Sequence, residues 1–153
     1  MRDVVVVDAS LALKWVIEED DSDQAKALLD EWVKSGMTLI APALFIYEVT
    51  NILYRKVGRG PLTLIEAQQA LERLRHQGPT LDFPLDTALS RRAMEVAHQF
   101  HLPATYDPHY LALAEREDCP YWTADERLYN SVKGTLAWVR WLGGYRPGTP
   151  AAG

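Results

Sequence analysis

Four β-branched residues in succession, Val4 to Val7, end at once in a carboxylate, Asp8. An unbroken apolar run of this kind reads as a strand buried on both faces, as in a parallel sheet covered by helices. The pattern then changes to helical spacing. Leu11 to Ile17 is expected to be a helix with Ser10 as its N-cap, and the acidic stretch Glu18 to Asp21 breaks it. Ala25, Leu28, Leu29 and Trp32 recur at intervals that predict a second helix, stopped by Gly36. Thr38 to Ala41 reads as a short strand closed by Pro42.

A long helix is predicted from about Ala43 to Val57, ended by Gly58. Its faces differ: Ile46, Val49, Leu53 and Val57 form an apolar stripe, while Glu48, Asn51 and Arg55 share nearly the opposite side. After the turn Arg59-Gly60-Pro61, Thr63 to Gln77 predicts another helix, with Leu64, Ala67, Ala70, Leu71 and Leu74 inward. Thr80 to Phe83 predicts a strand, and Asp86 caps a helix running to about His101. Thr105-Tyr106-Asp107-Pro108 begins a further helix, its Asp-Pro pair matching an N-cap followed by proline. Tyr121 to Thr123 reads as a strand, leading through Asp125 into a short helix to about Val132; there Thr123 and Glu126 match a capping box. Thr135 to Val139 is expected to be a last strand.

Strands alternating with helices predict an α/β fold, a three-layer α/β/α sandwich around a largely parallel central sheet. One domain is expected over residues 1–142, with a Gly/Pro-rich loose tail over 143–153.

Composition narrows the function classes. Lys and Arg number 16 against 21 Asp and Glu, a net charge of −5, which argues against binding nucleic acid through a generally basic surface. Arg55, Lys56, Arg59, Arg91 and Arg92 are the cations available to an RNA backbone. The single cysteine, Cys119, reads as a small buried hydrophobe. The absence of a signal-like start and of an apolar run near 18 residues leads to the expectation of a cytoplasmic protein, with no membrane partner. His98 and His101 lie at a metal-compatible spacing but lack a partner cluster, and His76 and His109 are isolated. The tryptophans Trp15, Trp32, Trp122, Trp138 and Trp141 read as core or dimer packing.

The chemistry lies in four acids. Asp8, Asp107 and Asp125 stand at strand ends or at helix starts, and Glu48 lies on the polar stripe of its helix. In an open parallel sheet such points face one rim. Carboxylates crowded there would raise one another's pKa unless a hard divalent cation neutralised them.

The runs Val7-Asp8-Ala9-Ser10, Tyr47-Glu48-Val49-Thr50-Asn51-Ile52-Leu53, Thr105 to Ala114 and Thr123-Ala124-Asp125-Glu126-Arg127-Leu128 resemble, in order and spacing, the four signature segments of PIN-domain ribonucleases, and most of all the VapC toxins of toxin–antitoxin modules. The resemblance spans about residues 3 to 140. It implies a Mg²⁺- or Mn²⁺-dependent endoribonuclease that leaves a 5′-phosphate and a 3′-hydroxyl. By it, Asp8, Glu48, Asp107 and Asp125 form the acidic quartet. Asp8, Asp107 and Asp125 would be the metal ligands, and Glu48 would orient or deprotonate water. Ser10, Asn51 and Thr123 match supporting positions, and Arg55 would face the substrate. A VapB-like antitoxin and a homodimer are also implied. Pro108 departs from the family, which more often has a small residue there.

Two other classes fit the same architecture. A HAD-type phosphatase needs an Asp-x-Asp pair where this chain has Ser10, and a receiver domain needs a lysine that Lys133 is poorly placed to supply. A catalytically silent binding module is the third class.

Overall fold

The structure, a computed structural model, is described here for residues 3–148. Five parallel strands form one sheet in the order β3-β2-β1-β4-β5: β1 (Val4–Val7), β2 (Thr38–Pro42), β3 (Thr80–Asp82), β4 (Tyr121–Thr123) and β5 (Val139–Trp141). Helices cover both faces. They are α1 (Ala9–Leu13), α2 (Ser22–Lys34), α3 (Leu44–Gly58), α4 (Leu64–Gln77), α5 (Ala88–Gln99), α6 (Tyr106–Glu117) and α7 (Glu126–Val132). The expected α/β sandwich is therefore the observed one.

The all-valine strand suits the central place because it is apolar on both faces: Val5, Val6 and Val7 have no exposed surface. From β1 the chain builds outward through β2 to β3, then returns to β1's other side for β4 and β5. Strand order thus reverses between β1 and β4. In an open α/β sheet the crevice at the carboxyl ends of the strands flanking such a reversal is where ligands bind. Val7 pairs with Trp122, so the next residues along, Asp8 and Thr123, come together at this crevice.

Helix α6 packs under β1, β2 and β4, and α5 packs on α6. An aromatic series crosses the core from α2: Trp15 to Trp32 at 6.5 Å, Trp32 to Trp122 at 5.9 Å and Trp122 to Tyr145 at 6.1 Å, each edge to face. Cys119 is buried, as expected. Among the described residues no helix is long and apolar enough to cross a membrane.

Several boundaries differ from expectation. Helix α1 is capped by Asp8, not Ser10, because the Asp8 carboxylate accepts from Leu11 N, and it ends at Leu13 rather than Ile17. Helix α5 ends at Gln99, with His101 in the left-handed region at φ 53°. Asp107 is not an N-cap: α6 opens at Tyr106 and Asp107 lies within its first turn. The last strand begins at Val139, not Thr135. The Thr135 and Leu136 amides both donate to the Val132 carbonyl, which holds them in a turn after α7 and away from the sheet ladder. The tail boundary also moves. Leu142–Gly144 form a 3₁₀ turn, and Tyr145 is buried, its hydroxyl donating to Glu31 and its carbonyl accepting from Gln24. The rest of the expected tail, 149–153, lies outside the described residues.

Candidate acidic site at the strand ends

Asp8 is the most deeply set of the four acids, 4 % exposed. Being both the end of β1 and the cap of α1, it is fixed by two elements at once. Its Oδ1 accepts from Ser10 Oγ (2.8 Å) and Leu11 N (3.0 Å); its Oδ2 accepts from Tyr121 Oη (2.9 Å) and Thr123 Oγ1. Four donors match the roughly four lone-pair positions of a carboxylate. Three of the four are hydroxyls, whose hydrogens can rotate away. Burial nevertheless raises the Asp8 pKa, and the donors from Thr123, Leu11, Ser10 and Tyr121 only offset it.

Glu48 stands in the second turn of α3, half-buried. Its Oε1 accepts from Tyr110 Oη at 2.7 Å. Burial raises its pKa, the Tyr110 bond opposes this, the Asp8 charge adds to it, and His109 lowers it again. Asp107, on the first turn of α6, is pushed up to about 7 by burial and then by the charges of Asp8, Asp125 and Glu48. Asp107 therefore lies within electrostatic reach of the other three acids, and Glu48 within reach of Asp8. Asp125 is exposed and caps α7, its carboxylate accepting from Leu128 N at 3.1 Å. The expected Thr123–Glu126 capping box does not form, because the Thr123 hydroxyl donates to Asp8 and accepts from Asp125 N.

Of the residues expected to support the acids, Ser10 and Thr123 do contact them. Ser10 Oγ also accepts from Ala124 N at 3.3 Å, which ties α1 to the loop after β4. Asn51 and Arg55 are exposed, and no hydrogen bond or ion pair among the described residues joins them to the acids. Arg55 lies in the last turn of α3, seven residues along from Glu48 and so about 10 Å away along the axis. Arg92 is engaged by Glu115 and Glu95, and Lys56 by Glu19.

Two tyrosines in the site escape sequence reasoning. Tyr110 reads as one more apolar position of α6, and Tyr121 as a strand residue before Trp122; only the fold shows that their hydroxyls meet carboxylates. His109, read as isolated, bonds Ser90 Oγ at 3.0 Å and bears electrostatically on Glu48. Its spacing of two from Asp107 is the only signal the chain offers.

In its chemistry the donor set suits a hard divalent cation: carboxylate oxygens only, with more negative charge than the pocket tolerates. In its present spacing it is not a closed cage. Among the described residues no three acidic, histidine or cysteine side chains stand ready to hold an ion between them.

A family model described as PIN domain matches residues 5–133. Comparison with curated proteins gives no match. Among solved structures, the protein titled crystal structure of PAE2754 from Pyrobaculum aerophilum aligns with a TM-score of 0.64 at 24 % identity, covering 89 % of this chain and 82 % of that one. At that identity the likeness is one of fold.

Proposed function

Because the chain belongs to the PIN domain family, whose members are in general metal-dependent nucleases, we propose that it is a Mg²⁺- or Mn²⁺-dependent endoribonuclease that hydrolyses RNA phosphodiesters. The observation that carries the reading is the convergence of charge on Asp107, whose pKa is pushed up to about 7 by burial and then by Asp8, Asp125 and Glu48. Carboxylates held this way at a sheet switch point are poorly explained by stability and well explained by a cation they share.

Asp8, Asp107 and Asp125 would hold that ion. When bound, it supplies positive charge against the phosphoryl oxygens and makes water more acidic. The chain's own residues do the rest. Asp8, anchored by β1 and α1, fixes the reference position of the site. Glu48, on the neighbouring wall, accepts a proton from water as its oxygen bonds to phosphorus. The bond from phosphorus to the 3′-oxygen breaks and that oxygen takes a proton from solvent, leaving a 5′-phosphate and a 3′-hydroxyl. Ser10 and Thr123 keep the Asp8 plane oriented.

The reading extends to a toxin of a toxin–antitoxin module, intracellular and homodimeric, restrained by a VapB-like antitoxin. Support for such a partner comes from the α3–α4 hairpin, where Tyr54 is 68 %, Leu64 55 % and Ile65 66 % exposed. Expression should arrest growth, and co-expression of the antitoxin should relieve it.

Purified protein is to be incubated with total RNA and Mn²⁺, with and without EDTA, beside the Asp8→Asn variant. Cleavage by the wild type, abolished by chelation and lowered at least about 100-fold in the variant, is expected. Cleavage that persists in EDTA or in Asp8→Asn protein overturns the assignment.

A further inference from the structure

The floor beneath the acids is made of two phenols. Tyr110 on α6 and Tyr121 on β4 have no exposed surface, and their rings lie 5.9 Å apart with a tilt of 32°. Each raises its hydroxyl to a different acid: Tyr121 Oη to Asp8 Oδ2 at 2.9 Å, Tyr110 Oη to Glu48 Oε1 at 2.7 Å. Burial and the surrounding carboxylates push both phenols far above their ordinary pKa, so both stay protonated and act only as donors toward these acids.

The two contacts are not equivalent. Asp8 has four donors from two segments of chain, α1 and β4, so losing Tyr121 would leave it three. Glu48 has one. Its side chain carries three rotatable bonds on a half-exposed helical turn, and without an anchor it would spread over several rotamers in solvent. No hydrogen bond reaches its second oxygen, Oε2, among the described residues. A rigid, buried donor on one oxygen therefore settles both where the carboxylate sits and which oxygen is left to react.

We propose that Tyr110 is a positioning residue: by engaging Oε1 it holds Glu48 against the acidic pocket and leaves Oε2 as the acceptor for a proton of the attacking water. The proposal deepens the nuclease reading and, for the water step, rests on it. Its structural half, that Glu48 depends on the Tyr110 hydroxyl for its place, can be tested without any catalysis.

The test is a double-substitution cycle on the full chain: wild type, Tyr110→Phe, Glu48→Ala and the combination, with Tyr129→Phe, on α7 with its ring stacked on Trp141, as control. Phenylalanine keeps the buried ring and deletes the hydroxyl alone. Each protein is assayed for kcat and KM on an unstructured RNA oligonucleotide with Mn²⁺, and unfolded in urea without metal. Tyr110→Phe should lower kcat roughly 10-fold, as loss of an orienting partner typically does, with KM within about twofold. It should cause no further loss where Glu48 is already alanine. In urea, Tyr110→Phe should lower the midpoint in the wild-type background and shift it much less in Glu48→Ala. Equal kcat losses in both backgrounds, or additive urea shifts, overturn the positioning role. A wild type that cleaves no RNA while the urea shifts remain coupled overturns the nuclease reading and the water step, and upholds the Tyr110–Glu48 anchor.

Discussion

Asp125 shows how one side chain can serve two elements, and how the two uses can be separated. Its carboxylate caps α7 through Leu128 N, and its charge bears on Asp107. Asparagine caps a helix about as well as aspartate but carries no charge, whereas alanine does neither. Asp125→Asn is therefore expected to keep the wild-type urea midpoint and lose cleavage, while Asp125→Ala loses cleavage and about 1 kcal/mol of stability. Equal stability of the two variants, measured by urea denaturation, would show that the cap contributes nothing. Asp8 allows no such separation, since the oxygen that caps α1 also accepts from Ser10.

At the scale of elements, the long periodic segments were readable from the chain and the short ones were not. Helices α2, α3 and α4 follow their hydrophobic stripes, and α4 opens with the full Thr63–Glu66 capping box. Helix α1 and strand β5 differ because competing local bonds win: the Asp8 carboxylate takes the Leu11 amide, and Thr135 and Leu136 turn back onto Val132. The edge-to-face tryptophans explain why α2 stays on the sheet: Trp32 touches both Trp15 and Trp122 and is 2 % exposed. Trp32→Ala should cost about 3 to 5 kcal/mol, read as a drop in the urea midpoint. A loss below about 1 kcal/mol would mean that the aromatic series is not what fastens α2.

The whole molecule carries the site's charge as a pH-dependent load. Asp107, raised to about 7, binds its proton more tightly folded than unfolded, and burial raises Asp8 and Glu48 in the same direction. A carboxyl whose folded pKa is raised contributes stability that is complete below its unfolded value, near 4, and is lost as pH rises through the folded one. In EDTA the melting temperature should therefore fall between about pH 5 and pH 8, and Asp107→Asn should flatten much of that fall. Mg²⁺ should raise the melting temperature at about pH 8 and leave it nearly unchanged at pH 5, where protons already relieve the repulsion. An equal Mg²⁺ effect at both pH values, or none at either, would show that the acids do not share an ion.

By itself the chain determined its architecture, because burial on both faces requires an unbroken apolar strand and the helices between strands carry their own period. It also marked Asp8, Glu48, Asp107 and Asp125, whose motifs are local in sequence. The tertiary structure alone decided which distant partners Asp8 and Glu48 have. Hydrogen bonds such as Tyr110 to Glu48 and Thr123 to Asp8 join residues 62 and 115 positions apart. Contacts of that kind leave no period, spacing or composition in the chain, since they exist only once β1 and β4 lie side by side and α6 has packed beneath them.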